Sequence, residues 1–252
     1  MPNIWIQTLK NLFLPEFCRE CGVRLLTEEN GFFCPTCWEF SPRIERPFCI
    51  RCGQPHRERI GFGETHNFPC KYCRETKAPA YTRIFAPALF DGPVAEAIRL
   101  LKFNGKRRLA RPLGERMDAF ARQELDCETY DAVVPVPLHK VRLRHRGFNQ
   151  AALLAHEIWP AFPNATLDES LLRIRPTRVQ SRLANEKERT ANVVGAFAVP
   201  RQSSFDRKKI LLIDDVVTTG ETVAECAAAL RRAGAKRVDI LCAALPARAP
   251  AK

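Results

Sequence analysis

Two acidic residues stand side by side at Asp214 and Asp215, and after two apolar positions comes Thr218-Thr219-Gly220. Paired carboxylates at the end of a strand can accept hydrogen bonds from a sugar's neighbouring hydroxyls. A Thr-Thr-Gly turn opening a helix offers backbone N–H groups and hydroxyls to a phosphate, in the field of the helix dipole. One after the other, the two groups suit a ribose 5-phosphate. The elements that must hold them are written on either side. Ile210, Leu211, Leu212 and Ile213 form an unbroken apolar run, as in a parallel strand buried on both faces. Thr222 opens a helical pattern with Val223, Cys226, Ala227 and Leu230 on one face and Gly234 as its C-cap. Open α/β sheets bind ligands beyond the carboxyl ends of their strands, where this turn falls.

A second strand–loop–helix unit precedes it. Asp131 to Pro137 reads as a strand entering a proline-limited loop, and Leu153, Leu154 and Ile158 mark the helix beyond. Between them lie Leu138, His139 and Lys140, then Arg142, Arg144, His145 and Arg146. A loop this basic suits a pyrophosphate. Upstream, Tyr81 to Phe90 reads as one or two short strands, and Asp91-Gly92-Pro93 starts a helix with Asp as cap. Val94, Ile98 and Leu101 give that helix its apolar face and Gly105 stops it. Lys102, Lys106, Arg107, Arg108 and Arg111 form a basic rim, and Leu109, Leu113, Met117, Phe120 and Leu125 fit another helix. Leu171 to Arg173, Gly195 to Val199 and Val238 to Leu245 read as further strands.

Eight of the eleven cysteines lie between Cys18 and Cys73, all in C-x-x-C pairs. Cys18/Cys21 and Cys34/Cys37 enclose twelve residues, and Cys49/Cys52 and Cys70/Cys73 enclose seventeen. Two such knuckles complete a tetrahedral four-thiolate site, so the expectation is two structural Zn2+ ions in tandem ribbons. Sequential or interleaved pairing would use the same eight ligands. His56 and His66 read as exposed loop residues. Cys226 and Cys242 read as buried small apolar residues.

The chain has 252 residues, 46% of them hydrophobic, and a net charge of +12. That content supports a proper core, and the charge suits an anionic ligand or nucleic acid. No apolar run is long enough to span a bilayer. The N-terminus lacks a secretory pattern, and Trp5, Leu9, Leu12 and Phe13 share a helical face instead. Cysteine usage and the missing signal point to the cytoplasm, where paired cysteines bind metal.

IDDVVTTGET resembles the phosphoribosyl-pyrophosphate (PRPP) signature of type I phosphoribosyltransferases. The ordered set of cysteine pairs, LLKFNGK at 100–106, VPVPL, RGFNQA at 146–151 and this signature resembles the ComF family over almost the whole chain. The resemblance implies an α/β type I phosphoribosyltransferase domain over 80–252 behind a double zinc-ribbon module over 1–79. It implies that Asp214 and Asp215 hold ribose hydroxyls. Val217, Thr218, Thr219, Gly220, Glu221 and Thr222 would cradle the 5-phosphate. Pro137, Leu138, His139, Lys140, Arg146 and Lys102 would face the pyrophosphate. Arg182, Lys187 and Arg189 would sit on a loop closing over PRPP. Mg2+ would accompany PRPP, held mostly by its oxygens and water. The implied reaction transfers phosphoribose to a nitrogen acceptor and releases pyrophosphate. Two other readings remain: a single-stranded-DNA-binding accessory of competence or DNA processing, and a PRPP sensor without turnover.

Overall fold

The structure, a computed structural model, describes residues 15–25, 31–56, 67–176, 194–200 and 205–247. The N-terminal apolar face, His66, and the charged loop with Arg182, Lys187 and Arg189 lie outside these residues. In the first ribbon β1 (Glu16–Phe17) pairs antiparallel with β2 (Arg24–Leu25), and α1 (Pro35–Glu39) follows with Cys34 at its N-cap. The second ribbon carries α2 (Lys71–Glu75), with Cys70 at the N-cap. Then come β3 (Arg83–Phe85), α3 (Gly92–Asn104), α4 (Ala110–Glu124), β4 (Ala132–Pro135), α5 (Lys140–Arg146) and α6 (Gln150–Ile158). The chain continues through β5 (Thr166–Leu167), β6 (Leu172–Arg173), β7 (Phe197–Ala198), β8 (Lys209–Val216), α7 (Glu221–Arg232) and β9 (Arg237–Ala244).

Five strands make a parallel sheet in the order β3-β9-β8-β4-β5. The apolar run in β8 is buried along both faces, as a central parallel strand requires. Asp214 and Asp215 are inside that strand, which runs on to Val216. Helices α4 and α6 pack together, α6 lies on β4 and β8, and α7 lies on β8 and β9. Apolar side chains of the ribbon module, Phe32, Phe33, Ile44 and Phe48, join the same core as the sheet.

Local chemistry fixes the helix ends near the sheet's carboxyl edge. Asp91 accepts a hydrogen bond from the Gly92 N–H at 2.9 Å and caps α3. Asn149 caps α6 by accepting from the Ala151 N–H at 3.1 Å. The same side chain donates to the Val136 carbonyl at 3.1 Å, tying α6 to the exit of β4.

Candidate functional site

Asp214 and Asp215 sit at the carboxyl end of the central strand, 9% and 2% exposed. The Asp215 N–H donates to Asp214 Oδ1 at 2.9 Å. Gln150 Nε2 donates to Asp215 Oδ1 at 3.1 Å, and Lys102 Nζ forms an ion pair with Asp215 Oδ2. Burial pushes the Asp214 carboxyl well above the usual carboxylate range, and the charge of Asp215 adds to this. Burial acts in the same direction on Asp215. There the Lys102 ammonium and hydrogen bonds from Lys102, Asp214 and Gln150 outweigh it and hold the group below its usual value. Two adjacent carboxyls are thus pushed in opposite directions, Asp214 up and Asp215 down.

After Val216 the chain turns through Val217 to Gly220 into α7. Gly220 has φ +87°, a left-handed conformation that glycine adopts without a Cβ penalty, and no side chain caps the helix. The N-terminus of a helix twelve residues long therefore faces the end of the sheet, the arrangement that favours an anion.

The stretch after Leu138 departs from the sequence expectation. It is the short helix α5, with His139 Nδ1 accepting from the Val141 N–H at 3.4 Å and Gly147 closing it at φ +79°. A helix sorts its cations by face. Arg142 and Arg146, one turn apart, line the cleft in front of the carboxylates, while Lys140, Arg144 and His145 are exposed. His139 is buried as the cap. Neither His139, which caps the helix, nor Lys140, which is exposed, lines the cleft.

The cleft has a volume of about 530 Å³. Its walls bring together most of the expected residues: Lys102, Pro137, Leu138, Arg146, Asp214, Asp215, Val217, Thr218, Gly220 and Thr222. Thr219 lies on a second cavity of about 220 Å³ behind the turn, and Glu221 lines neither. Sequence reasoning gave no ligand-facing role to Phe90, Arg99, Phe103, Gln150 or Arg173, all on the cleft wall. Arg142, part of the basic stretch expected to suit a pyrophosphate, lines the cleft one helical turn before Arg146. Arg173 comes from the β6–β7 pair, which no local motif connects to the site.

The eight cysteines gather as two sets of four, Cys18/Cys21/Cys34/Cys37 and Cys49/Cys52/Cys70/Cys73. Sequential pairing is therefore realised, with all ligand sulfurs of a set within 4.8 Å of one another. Cys21 and Cys34 Sγ are 3.7 Å apart, and Cys52 and Cys70 Sγ 3.8 Å. A tetrahedron with Zn–S bonds of about 2.3 Å has sulfurs about 3.8 Å apart, so the donor set fits zinc. Backbone N–H groups of Arg51, Cys52 and Cys70 point at Cys49 Sγ at 3.4, 3.5 and 3.3 Å, as thiolate-bearing knuckles do. A hydrogen bond from Cys52 and these N–H groups bring the Cys49 thiol down to about 4, against the opposing effect of burial. Burial and the charge on Cys49 push Cys73 up to about 12. One thiolate resists the next until a cation joins them. His56 is not the exposed loop residue expected; it stacks on Phe68 with ring centroids 3.8 Å apart.

The second ribbon also shares a cavity with the phosphate-type turn. Ile84 N–H donates to the Arg51 carbonyl at 2.9 Å, and Gln54 Nε2 donates to the Pro246 carbonyl at 3.0 Å. Cys52 and Gln54 line the second cavity together with Thr218, Thr219 and Gly220. Gly53, at φ +70°, permits this approach, since a Cβ there would lie 2.7 Å from the Ile84 carbonyl oxygen.

Comparison with known families gives matches at both ends of the chain. Residues 9–77 match the double zinc ribbon domain, and residues 152–251 match the phosphoribosyl transferase domain. The chain is 31% identical to "DNA utilization protein YhgH" of Escherichia coli (strain K12), over 92% of this chain and 97% of that protein. "Competence protein F" of Haemophilus influenzae is 27% identical over 88% of this chain and 94% of its own length. "Competence protein ComFC" of Streptococcus pneumoniae is 28% identical over 85% and 88%. Among the described residues no helix is long and apolar enough to cross a membrane. A carboxylate pair, a phosphate-type turn and two four-cysteine sets, in this order and with relatives aligned nearly end to end, have one common explanation: the chain belongs to the ComF family of DNA utilization and competence proteins.

Proposed function

We propose that the cleft binds PRPP and that the protein transfers its phosphoribosyl group to a nitrogen acceptor. The observation that carries this reading is convergence. The carboxylate pair of β8, the N-terminus of α7, and Arg142 and Arg146 of α5 face one cleft. The 5-phosphate is assigned to the Thr218–Thr222 turn, the ribose hydroxyls to Asp214 and Asp215, and the pyrophosphate to Pro137, Leu138, Arg142 and Arg146. The acceptor nitrogen attacks C1, the C1–O bond to pyrophosphate breaks, and the electron pair leaves with the pyrophosphate. Positive charge grows on the ring in between, where the Asp215 carboxylate stabilises it. Asp214 serves a ribose hydroxyl. Catalysis is positioning and charge stabilisation, with little proton transfer asked of the protein.

Mg2+ is the expected companion of PRPP, held mostly by the ligand's own oxygens and water. Asp215 Oδ1 is held by Gln150 and Oδ2 by Lys102, while Asp214 Oδ1 accepts from the backbone. No step is assigned to the metal. Two Zn2+ ions are assigned to the four-cysteine sets, where they hold together a ribbon module over 1–79 in front of the transferase domain over 80–252. The test is pyrophosphate release from PRPP across a panel of purine, pyrimidine and ammonia acceptors. Release with at least one acceptor supports transfer. PRPP binding with no release from any of them favours a sensor.

Single-stranded DNA binding is a second reading, and one surface favours it. Phe103 is 70% exposed, with Arg146 5.7 Å from its ring centroid. Arg107 sits over Phe148 at 4.7 Å and Arg108 over Phe32 at 4.5 Å. Phe148 and Phe32 are buried beneath these arginines, so the surface offers a strand a basic strip with Phe103 as its exposed ring. Such binding weakens steeply as salt rises and survives the absence of PRPP.

A further inference from the structure

A groove of about 600 Å³ lies between the first ribbon and α4, and it shares no lining residue with the cleft described above. One wall is a face of α4, where Pro112, Arg116, Ala119 and Gln123 recur every three or four residues. The facing wall comes from the ribbon module, with Trp38 of α1 and the stretch from Arg43 to Arg46. Much of the lining is apolar: Trp38, Ile44, Pro87, Pro112, Ala119 and Phe120. Small-molecule sites are mostly apolar hollows of about 300–1,000 Å³ with a few placed polar groups, and this groove fits that description. A bare ion would leave most of it empty.

Nearly all the charges around the groove are settled within the protein. Arg46 Nε donates to both oxygens of Glu124, at 2.9 and 3.0 Å. Arg43 pairs with Glu39, and Glu115 pairs with Arg111 at 2.9 Å. Glu45 is exposed to water. Arg116 differs from these. It forms no ion pair among the described residues. Its Nη2 donates to the Trp38 carbonyl at 2.5 Å, and its guanidinium carbon lies 5.0 Å from the Trp38 ring centroid. Its Nη1 is buried with no hydrogen-bond partner. Burial, then the charge of Arg43, push its pKa down, with Glu39 opposing. A guanidinium keeps its proton in a protein, so the charge stays and lacks a counter-ion. A purely structural role accounts for the ring contact and one hydrogen bond. It does not account for a half-buried positive charge with unused donor capacity on the wall of a large groove.

We propose that the groove between α1 and α4 is a second ligand site, taking a small organic anion: one carboxylate or phosphate on a flat apolar body, with Arg116 as its counter-charge. The body lies along the apolar lining beside Trp38. The site is independent of the PRPP reading. Because its walls come from the ribbon module and from α4, occupancy ties the two together.

The experiment is a titration of full-length, zinc-loaded, ¹⁵N-labelled protein with adenosine monophosphate, with benzoate and with inorganic phosphate. The readout is the Trp38 indole N–H resonance, assigned with Trp38→Phe. A saturable shift with adenosine monophosphate or benzoate is expected, with a dissociation constant below about 1 mM. Whichever binds identifies the head group. Inorganic phosphate is expected to bind at least roughly tenfold more weakly, because it lacks the apolar body. Ala119→Phe fills the groove from an exposed position on α4 and is expected to abolish the shift. Arg116→Met is expected to weaken binding roughly tenfold, with partial recovery in Arg116→Lys. Arg142→Ala/Arg146→Ala, which strips the other cleft of two cations, is expected to leave the shift unchanged. No saturable shift with either organic anion overturns the proposal, and so does phosphate binding as tightly as both. A folded Ala119→Phe that binds like wild type also overturns it. The wild-type titration decides the matter even if Arg116→Met does not fold.

Discussion

At the scale of single residues, the decisive feature is the unequal pair Asp214 and Asp215. Asp214 has a raised pKa in the folded chain, so the stability it contributes is full below the unfolded value and is lost as the pH rises through the folded one. Asp214→Asn keeps the shape and removes the charge. Its melting temperature is expected to equal or exceed wild type at pH 8, with the advantage shrinking as the pH falls. Asp215 behaves oppositely: its lowered pKa contributes stability present above the unfolded value and lost as pH falls through the folded one. Asp215→Asn leaves Lys102 half-enclosed without its counter-charge and is expected to cost about 2 kcal/mol, less than for a fully buried pair. Thermal melts of both variants across pH check the assignment. The adjacency of the two acids was plain in the sequence. Their division of labour was not, because it is imposed by Lys102 and Gln150, which only the tertiary fold brings to Asp215.

At the scale of elements, α5 turns a basic segment into a sorted surface. Arg142→Ala and Arg146→Ala are each expected to weaken PRPP binding roughly tenfold, and Arg144→Ala to leave it within about twofold, by calorimetry. Equal losses at all three positions would mean that only the summed charge matters. Sequence reasoning left this stretch as a loop for a physical reason. Its seven residues carry cations at four positions and a histidine at a fifth, and its two apolar residues, Val141 and Leu143, are exposed, so no buried face advertises a helix. By contrast β8 and α7 were legible because their order is local: a fully apolar strand, a ligand turn, then a helix with one apolar face. The C-x-x-C knuckles were legible for the same reason, while their sequential pairing needed the fold.

At the scale of the whole molecule, the second ribbon and the turn before α7 line one cavity, which sets the metal and ligand sites side by side. Gly53→Ala is expected to destabilise the protein by about 1–3 kcal/mol, because a left-handed backbone must accept a Cβ beside the Ile84 carbonyl. Cys49→Ser is expected to reduce bound zinc from about two ions to about one per chain and to weaken PRPP binding as the turn loses its support. Metal analysis and titration on one sample check both halves of that link. The central claim is that the carboxylate pair and the turn form a PRPP site. Its most direct test is calorimetric titration of PRPP into zinc-replete wild type and into the double variant Asp214→Asn/Asp215→Asn. The account predicts saturable binding at one site in the wild type and none in the folded variant. Equal binding by the two proteins, or no binding by the folded wild type, would contradict it.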